Sequence, residues 1–373
     1  MKFQIVSDSS CDLSGHFAKE NGITLVPFYV SFDSETYMKE GKEIAIPDFY
    51  QQMVDNKNVF PKTSMPSVQD YMDAFLAHVK NKMPVLCICL NAQFSGSYQS
   101  ALNAKNAVVD DYPDAAIEVV DSRLVTVLQG QFVHEAITLR DKDFLEEAVS
   151  KLKEIRDTGH IFFTTKDLKY LEKGGRIGKA ASLAGSVLNL KPLIEYHNRE
   201  LTPAGVCRGR NQSLKKILAN FLKYLTDNQI DPDSYRIVTG YGYDYEEYKS
   251  FTAQVSDALS QAGHKNIDFE DHFIGATIGV HTGPYPIGIG ILKRCVLFWL
   301  LTPDSSDKPQ IFVCPTLLLS HMPLHKAPPE SSAGHPHFLH AGSILSRLPI
   351  WLSGYLSAST ETYPSLSFLN LPA

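Results

Sequence analysis

The chain has 373 residues, enough for two domains with separate cores, and its 44% hydrophobic and 20% charged composition is ordinary for a globular protein. A formal net charge of −6 weighs against a phosphate-backbone partner, which needs a basic face, so no nucleic-acid partner is expected. No stretch approaches the ~18 consecutive apolar residues of a membrane helix, and Asp8 arrives too early for a leader peptide, so neither a membrane span nor a signal sequence is expected.

In chain order, residues 3–6 and 23–30 read as strands, and 71–79 as an amphipathic helix behind the turn-like 62–67. Residues 85–90 (VLCICL) form a continuous apolar run, the pattern of a strand buried on both faces of a parallel sheet. A polar turn at 91–97 leads into a helix over 98–109. A strand at 116–120 follows, then helices near 125–139 and 144–156. This β-turn-α rhythm predicts a doubly wound sheet whose ligands sit beyond the C-terminal strand ends. Past residue 160 the texture changes: strand-like pieces at 160–164, 193–196, 236–239 and 277–281 alternate with a glycine-rich segment and helices at 212–226 and 245–262. The expectation is α/β throughout, with an N-terminal domain over 1–158 and a second α/β domain over 159–292.

Residues 295–373 hold ten of the 21 prolines, both tryptophans, five of the 13 histidines and only seven charged residues. Apolar scraps there have neither period nor caps. Residues 293–373 read as a tail outside the functional fold, from a shifted frame or a fusion, with a small accessory region as the alternative. The six cysteines (Cys11, Cys87, Cys89, Cys207, Cys295, Cys314) form no C-x-x-C pair, and Cys87 and Cys89 share one strand face, so a reduced, cytoplasmic protein is expected.

Three hydroxyl-rich turns lie at strand-to-helix junctions, where free backbone N–H groups make anion sites. They are Ser7-Asp8-Ser9-Ser10-Cys11-Asp12, Thr63-Ser64-Met65-Pro66-Ser67 and Phe94-Ser95-Gly96-Ser97-Tyr98. Each can be plain helix capping. Two points favour a ligand at the second and third. A serine suffices for the cap and leaves Thr63 free, and Gly96 lets a head group approach the backbone.

These motifs occur in order with Glu172-Lys173-Gly174-Gly175-Arg176-Ile177-Gly178 and Gly279-Val280-His281-Thr282-Gly283-Pro284. Together they resemble the DegV family of bacterial lipid-binding proteins over about residues 1–292. One departure stands out: Tyr285-Pro286 replaces the second glycine expected after Pro284. The resemblance implies a two-domain α/β fold that holds a long-chain fatty acid such as hexadecanoate in an interdomain tunnel. It implies a carboxylate bound by Thr63, helped by Ser64, and by Ser95 with the Gly96 amide; Ser97 and His281 are further fatty-acid-binding candidates. It also implies a separate fatty acid kinase as partner and no cofactor besides the lipid.

Physical chemistry agrees with that expectation. Two hydroxyls and an amide can hold a carboxylate without a buried cation, each charge-assisted bond contributing roughly 1.5–3 kcal/mol. At ~0.8 kcal/mol per buried CH₂ the acyl chain dominates affinity, so the tunnel must be apolar. Phe28, Phe94, Ile161, Phe163, Leu183 and Leu188 are lining candidates, with ordinary core packing as the other reading. His281 is either a core histidine or a group that steadies the head-group hydroxyls. Arg176, Arg208 and Arg210 are either solvated surface charges or a patch that docks the kinase.

Other chemistries lack their motifs. Gly178-Lys179 fails as a phosphate loop, because Lys173 and Ala180 stand where glycine and Ser/Thr are required. No G-x-S-x-G elbow surrounds Ser95, and no metal-ligand cluster is visible. Catalytic residues and metal are both expected to be none. The alternative retained is a serine-dependent lipid hydrolase or transferase with Ser95 as nucleophile and His281 as base.

Overall fold

A computed structural model describes residues 2–183, 190–264, 269 and 271–295. The first half runs β1 (Gln4–Asp8), α1 (Gly15–Glu20), β2 (Ile23–Val26), β3 (Tyr29–Ser31), β4 (Met38–Lys39), α2 (Ile46–Asp55), β5 (Lys62–Ser64) and α3 (Val68–Val79). It continues with β6 (Val85–Cys89), α4 (Ser97–Asp111), β7 (Ile117–Asp121), α5 (Thr126–Arg140) and α6 (Leu145–Ile155). The second half begins with β8 (His160–Thr164), α7 (Lys169–Lys173), β9 (Leu190–His197), β10 (Glu200–Arg208) and α8 (Arg210–Asp227). It ends with β11 (Tyr235–Tyr241), α9 (Tyr245–Gln261), α10 (Ala276–Thr282) and β12 (Ile287–Lys293).

The expected parallel sheet is present, in the order β2-β1-β6-β7. All five residues of β6 are buried, as an apolar run covered on both faces requires. Helices α3 and α4 cover one face through Tyr71, Phe75, Ala101 and Val108. Helices α5 and α6 cover the other through Phe132, Leu139, Val149 and Leu152. The hydroxyl-rich segments after β1 and β6 both follow C-terminal strand ends, where a doubly wound sheet opens its crevice.

The second sheet is antiparallel in the order β10-β9-β8-β12-β11, with α8 and α9 packed on it through Phe221, Leu225, Phe251 and Val255. A third sheet, β4-β3-β5, has only three short strands. The single strand expected at 23–30 is broken by Pro27. Its first half joins the parallel sheet and its second half the small one, because proline cannot donate to a ladder.

The sequence elements interleave. Val30, Phe49, Tyr50 and Met53 from the first half share a core with Ala276 and Val280 of α10. The described residues accordingly form one compact unit. The segment expected as a strand at 277–281 is the helix α10, so His281 stands on a helix rather than a strand. Of the tail, Lys293 closes β12 and the Cys295 amide donates to Glu135 Oε2 at 2.8 Å. Residues 296–373 lie outside the described residues, as does Leu188.

Candidate lipid-binding site

A cavity of about 190 Å³ lies between the two large sheets, lined by residues of both halves of the sequence. At ~10–15 Å³ per water-sized group this is room for on the order of a dozen such groups. Phe28, Phe94, Ile161 and Phe163 line it as expected, together with Leu90, Leu171, Ile278 and Ile287. Leu183 instead packs beside the core cluster.

Polar groups gather on one side. Thr63 lies on β5, in register with Val30 of β3, and its Oγ1 sits 3.4 Å from His281 Nε2. Ser95 and Gly96 precede α4 in the turn that leaves β6. Met65, two residues beyond Thr63, lies over Gly96: a Cβ there would meet its Sδ at 2.7 Å. Arg176 completes the group, its Nε donating to the Phe94 carbonyl at 3.2 Å and its Nη1 to the Gly174 carbonyl at 2.8 Å. Thr63, Ser95, Gly96, Arg176 and His281 all line the cavity. Gly96 and Arg176 are exposed, which opens this end to solvent.

The glycine-rich segment has a local role. A Cβ on Gly174 would stand 2.1 Å from His281 Nδ1, so only glycine lets the end of α7 lie against the imidazole. Gly175, at φ +67°, then reverses the chain and returns Arg176 to the cavity. Among the described residues His281 Nδ1 is buried without a hydrogen-bond partner. Burial, helped by the Arg176 charge, lowers the His281 pKa to about 4, so the ring is neutral at pH 7.

Two expected head-group hydroxyls are not brought to the cavity. Ser64 is exposed and absent from the lining. Ser97 is fully buried, with its hydroxyl 2.8 Å from Asp8 Oδ2 and 2.6 Å from the Tyr71 hydroxyl. Asp8 also accepts from Ser10, Gln129 and the Leu90 amide. It therefore ties the ends of β1 and β6 to the start of α4, a structural role that fixes the Ser95-Gly96 turn. Arg210 is committed as well: it forms a forked pair with Glu247 (2.8–3.0 Å) and donates to the Tyr285 carbonyl at 2.9 Å. Arg208 is exposed.

Sequence reasoning missed Thr126 and Thr277 in the lining. Their hydroxyls are occupied, donating to Asp12 Oδ2 and Glu40 Oε2. Of the Thr63–Ser95–Arg176–His281 side, His281 Nδ1 is the buried atom without a partner among the described residues. No helix among the described residues is long and apolar enough to cross a membrane.

Fold and cavity define an α/β protein with a parallel and an antiparallel sheet and a largely apolar chamber that has hydroxyls in its wall. Comparison with known proteins gives the family. Residues 2–294 match the model described as "Uncharacterised protein, DegV family". The chain belongs to the DegV family. It is 41% identical to a stearic-acid-binding protein from Eubacterium ventriosum, with a TM-score of 0.74 over 78% of this chain and 98% of that one. A fatty-acid-binding DegV family protein from Thermus thermophilus gives 27% identity and a TM-score of 0.68, over 79% and 100%. A DegV domain-containing protein of Clostridium acetobutylicum is 30% identical over 297 residues, 79% of this chain and 99% of the relative.

Proposed function

We propose that this chain binds one long-chain fatty acid in the cavity and presents its carboxylate to a separate fatty acid kinase. The observation that carries the reading is the segregation of the cavity wall. Aromatic and aliphatic side chains line most of it, and the polar groups of Thr63, Ser95, Arg176 and His281 gather at the end that opens to solvent. Thr63 and Ser95 hydroxyls with the Gly96 amide hold the carboxylate, and the Arg176 guanidinium supplies its counter-charge. The acyl chain lies among Phe28, Ile161, Phe163 and Ile287, and each buried methylene contributes ~0.8 kcal/mol. The fatty acids held by the relatives named above support the ligand class.

A kinase partner follows from the chemistry left to the carboxylate. It stands at the mouth, and the sequence lacks a phosphate loop that would let the chain act alone. Arg208, exposed at the end of β10, is the docking candidate that remains after Arg176 and Arg210 find other partners. The hydrolase reading is disfavoured by geometry. His281 Nε2 faces Thr63, and Ser95 Oγ accepts from the Ser97 amide at 3.2 Å, so the described residues present no serine–imidazole pair.

The test has two parts. Lipid extracted from mildly purified protein should be a long-chain fatty acid. The loaded protein, given ATP and a bacterial fatty acid kinase, should yield a hydroxamate on trapping with hydroxylamine, the mark of an acyl phosphate. An empty protein contradicts the ligand, and bound lipid that never yields hydroxamate contradicts the partner.

A further inference from the structure

Away from the head-group cradle, two buried carboxyls stand together with no cation beside them. Asp12 follows the turn after β1 and is 9% exposed; Glu40, just past β4, is 4% exposed. They meet at Gly275, where a methyl group would lie 2.6 Å from Glu40 Oε1 and 2.7 Å from Asp12 Oδ1. Among the described residues neither forms an ion pair. Two anions facing one buried point cannot both keep their charge.

Hydrogen bonding decides which is neutral. Glu40 is well supplied with donors and keeps room on Oε1: Oε1 accepts from the Thr277 amide at 2.9 Å, and Oε2 accepts from the Thr277 hydroxyl at 2.7 Å and the Ser9 hydroxyl at 2.5 Å. Asp12 has fewer. Its Oδ2 accepts from Thr126 and the Gly275 amide faces the carboxyl, while Oδ1 is buried without a hydrogen bond of ordinary geometry. An oxygen that lacks a donor beside an oxygen that can accept is the natural seat of a proton.

We propose that Asp12 carries a proton on Oδ1 and donates it to Glu40, and that this acid–carboxylate bond seats α10, placing Thr277 and, one turn on, His281 at the cavity wall. The inference deepens the lipid-binding reading and rests on it for its functional consequence. Asp12 and Glu40 are positioning residues; neither is in the cavity lining. The helix they seat is short; Gly275 at its N-cap faces the acid pair and Gly279 faces the Tyr50 hydroxyl, so it can sit this close. A seven-residue helix depends on such outside contacts.

The titratable groups around the pair supply no positive charge at neutral pH. They are Asp8 on β1, Cys11 beside Asp12, Tyr50 on α2, Tyr241 on β11 and the neutral His281 on α10 itself. Burial raises Asp12 well above the usual carboxyl range, and Glu40 above its own. A raised folded-state pKa gives stability that is fully present at low pH and lost as pH rises through it. The seat of α10 is therefore lost on the alkaline side.

The experiment measures retention of radiolabelled hexadecanoate from pH 6 to pH 10. Asp12→Ala should weaken retention about tenfold or more at pH 7. Asp12→Asn, whose amide N–H stands where the proton stood, should restore it and stay flat where the wild type falls away. Glu40→Gln should not rescue, since its amide confronts the donors of Ser9 and Thr277. Asp12→Asn behaving like Asp12→Ala, or keeping the wild-type alkaline limb, overturns the inference. The unmodified protein offers an independent readout. Its infrared spectrum at pH 7 should contain a neutral carboxylic acid carbonyl band that Asp12→Asn lacks; no such band also overturns it. A wild type that holds no hexadecanoate at any pH refutes the lipid reading instead, and the infrared result still decides the proton.

Discussion

Thr63 Oγ1 and His281 Nε2 approach to 3.4 Å across 218 residues of sequence. One stands on a three-residue strand of the smallest sheet, the other on a seven-residue helix, and neither element is stable by itself. Their meeting requires the whole unit: Val30 and Phe49 packed on Ala276 and Val280, and Gly174 drawn up to the imidazole. The proposed head-group site is thus assembled from both halves of the sequence.

Arg176 and Arg210 should separate function from stability. Arg176 is exposed at the cavity mouth and bonded only to carbonyls, so Arg176→Ala should lower hexadecanoate occupancy with little change in Tm. Arg210→Ala leaves half-buried Glu247 without its partner and should cost roughly 2 kcal/mol. That is roughly 1–2 °C of Tm per kcal/mol in a chain of this size. Lipid occupancy should be unchanged. Thermal scans and lipid extraction of the two variants check both arms.

His281 gives the lipid-free protein an acid limb. Its folded pKa is depressed to about 4 against an unfolded value near 6.5, so the unfolded chain binds the proton more readily. The neutral ring's contribution is complete above about pH 6.5 and is lost as pH falls toward 4, at up to ~1.4 kcal/mol per unit. His134, also lowered to about 4, adds a limb of the same sign. Denaturant midpoints of wild type and His281→Gln should therefore converge between pH 7 and pH 4. Parallel curves would show that His281 does not titrate as described.

Gly174→Ala should damage the site more than the fold. The new methyl must displace the His281 ring, whose Nδ1 would lie 2.1 Å away, at an overpacking cost of roughly 1–3 kcal/mol. Lipid retention should fall in a protein with unchanged circular dichroism, and Gly175, facing open space, provides the neighbouring control through its conformation alone.

Much of this architecture is legible in the sequence because the signals are local. The VLCICL run marks β6 as doubly covered, and Ile161 and Phe163 reach the cavity from the apolar strand β8, Phe28 and Phe94 from the turns that follow β2 and β6. The segment 277–281 reads as a strand for an equally local reason: Thr277, Ile278 and Val280 favour extended backbone. Its helical state comes from distant partners, Glu40 at the Thr277 amide and Tyr50 against Gly279. Ser97 is misread for the same reason, since nothing nearby in sequence reveals that Asp8 claims its hydroxyl. Asp12 lies within a motif noticed for its hydroxyls, but its companion Glu40 is 28 residues away and only the fold joins them.

The central claim is that neutral hydroxyls at the chamber mouth retain a fatty acid. Native mass spectrometry of the purified chain, wild type beside Thr63→Ala/Ser95→Ala, addresses it directly. Loss of two charge-assisted bonds at roughly 1.5–3 kcal/mol each should empty most of the variant. The wild type should carry one fatty acid per chain. Equal lipid occupancy in both, or none in either, would contradict the account.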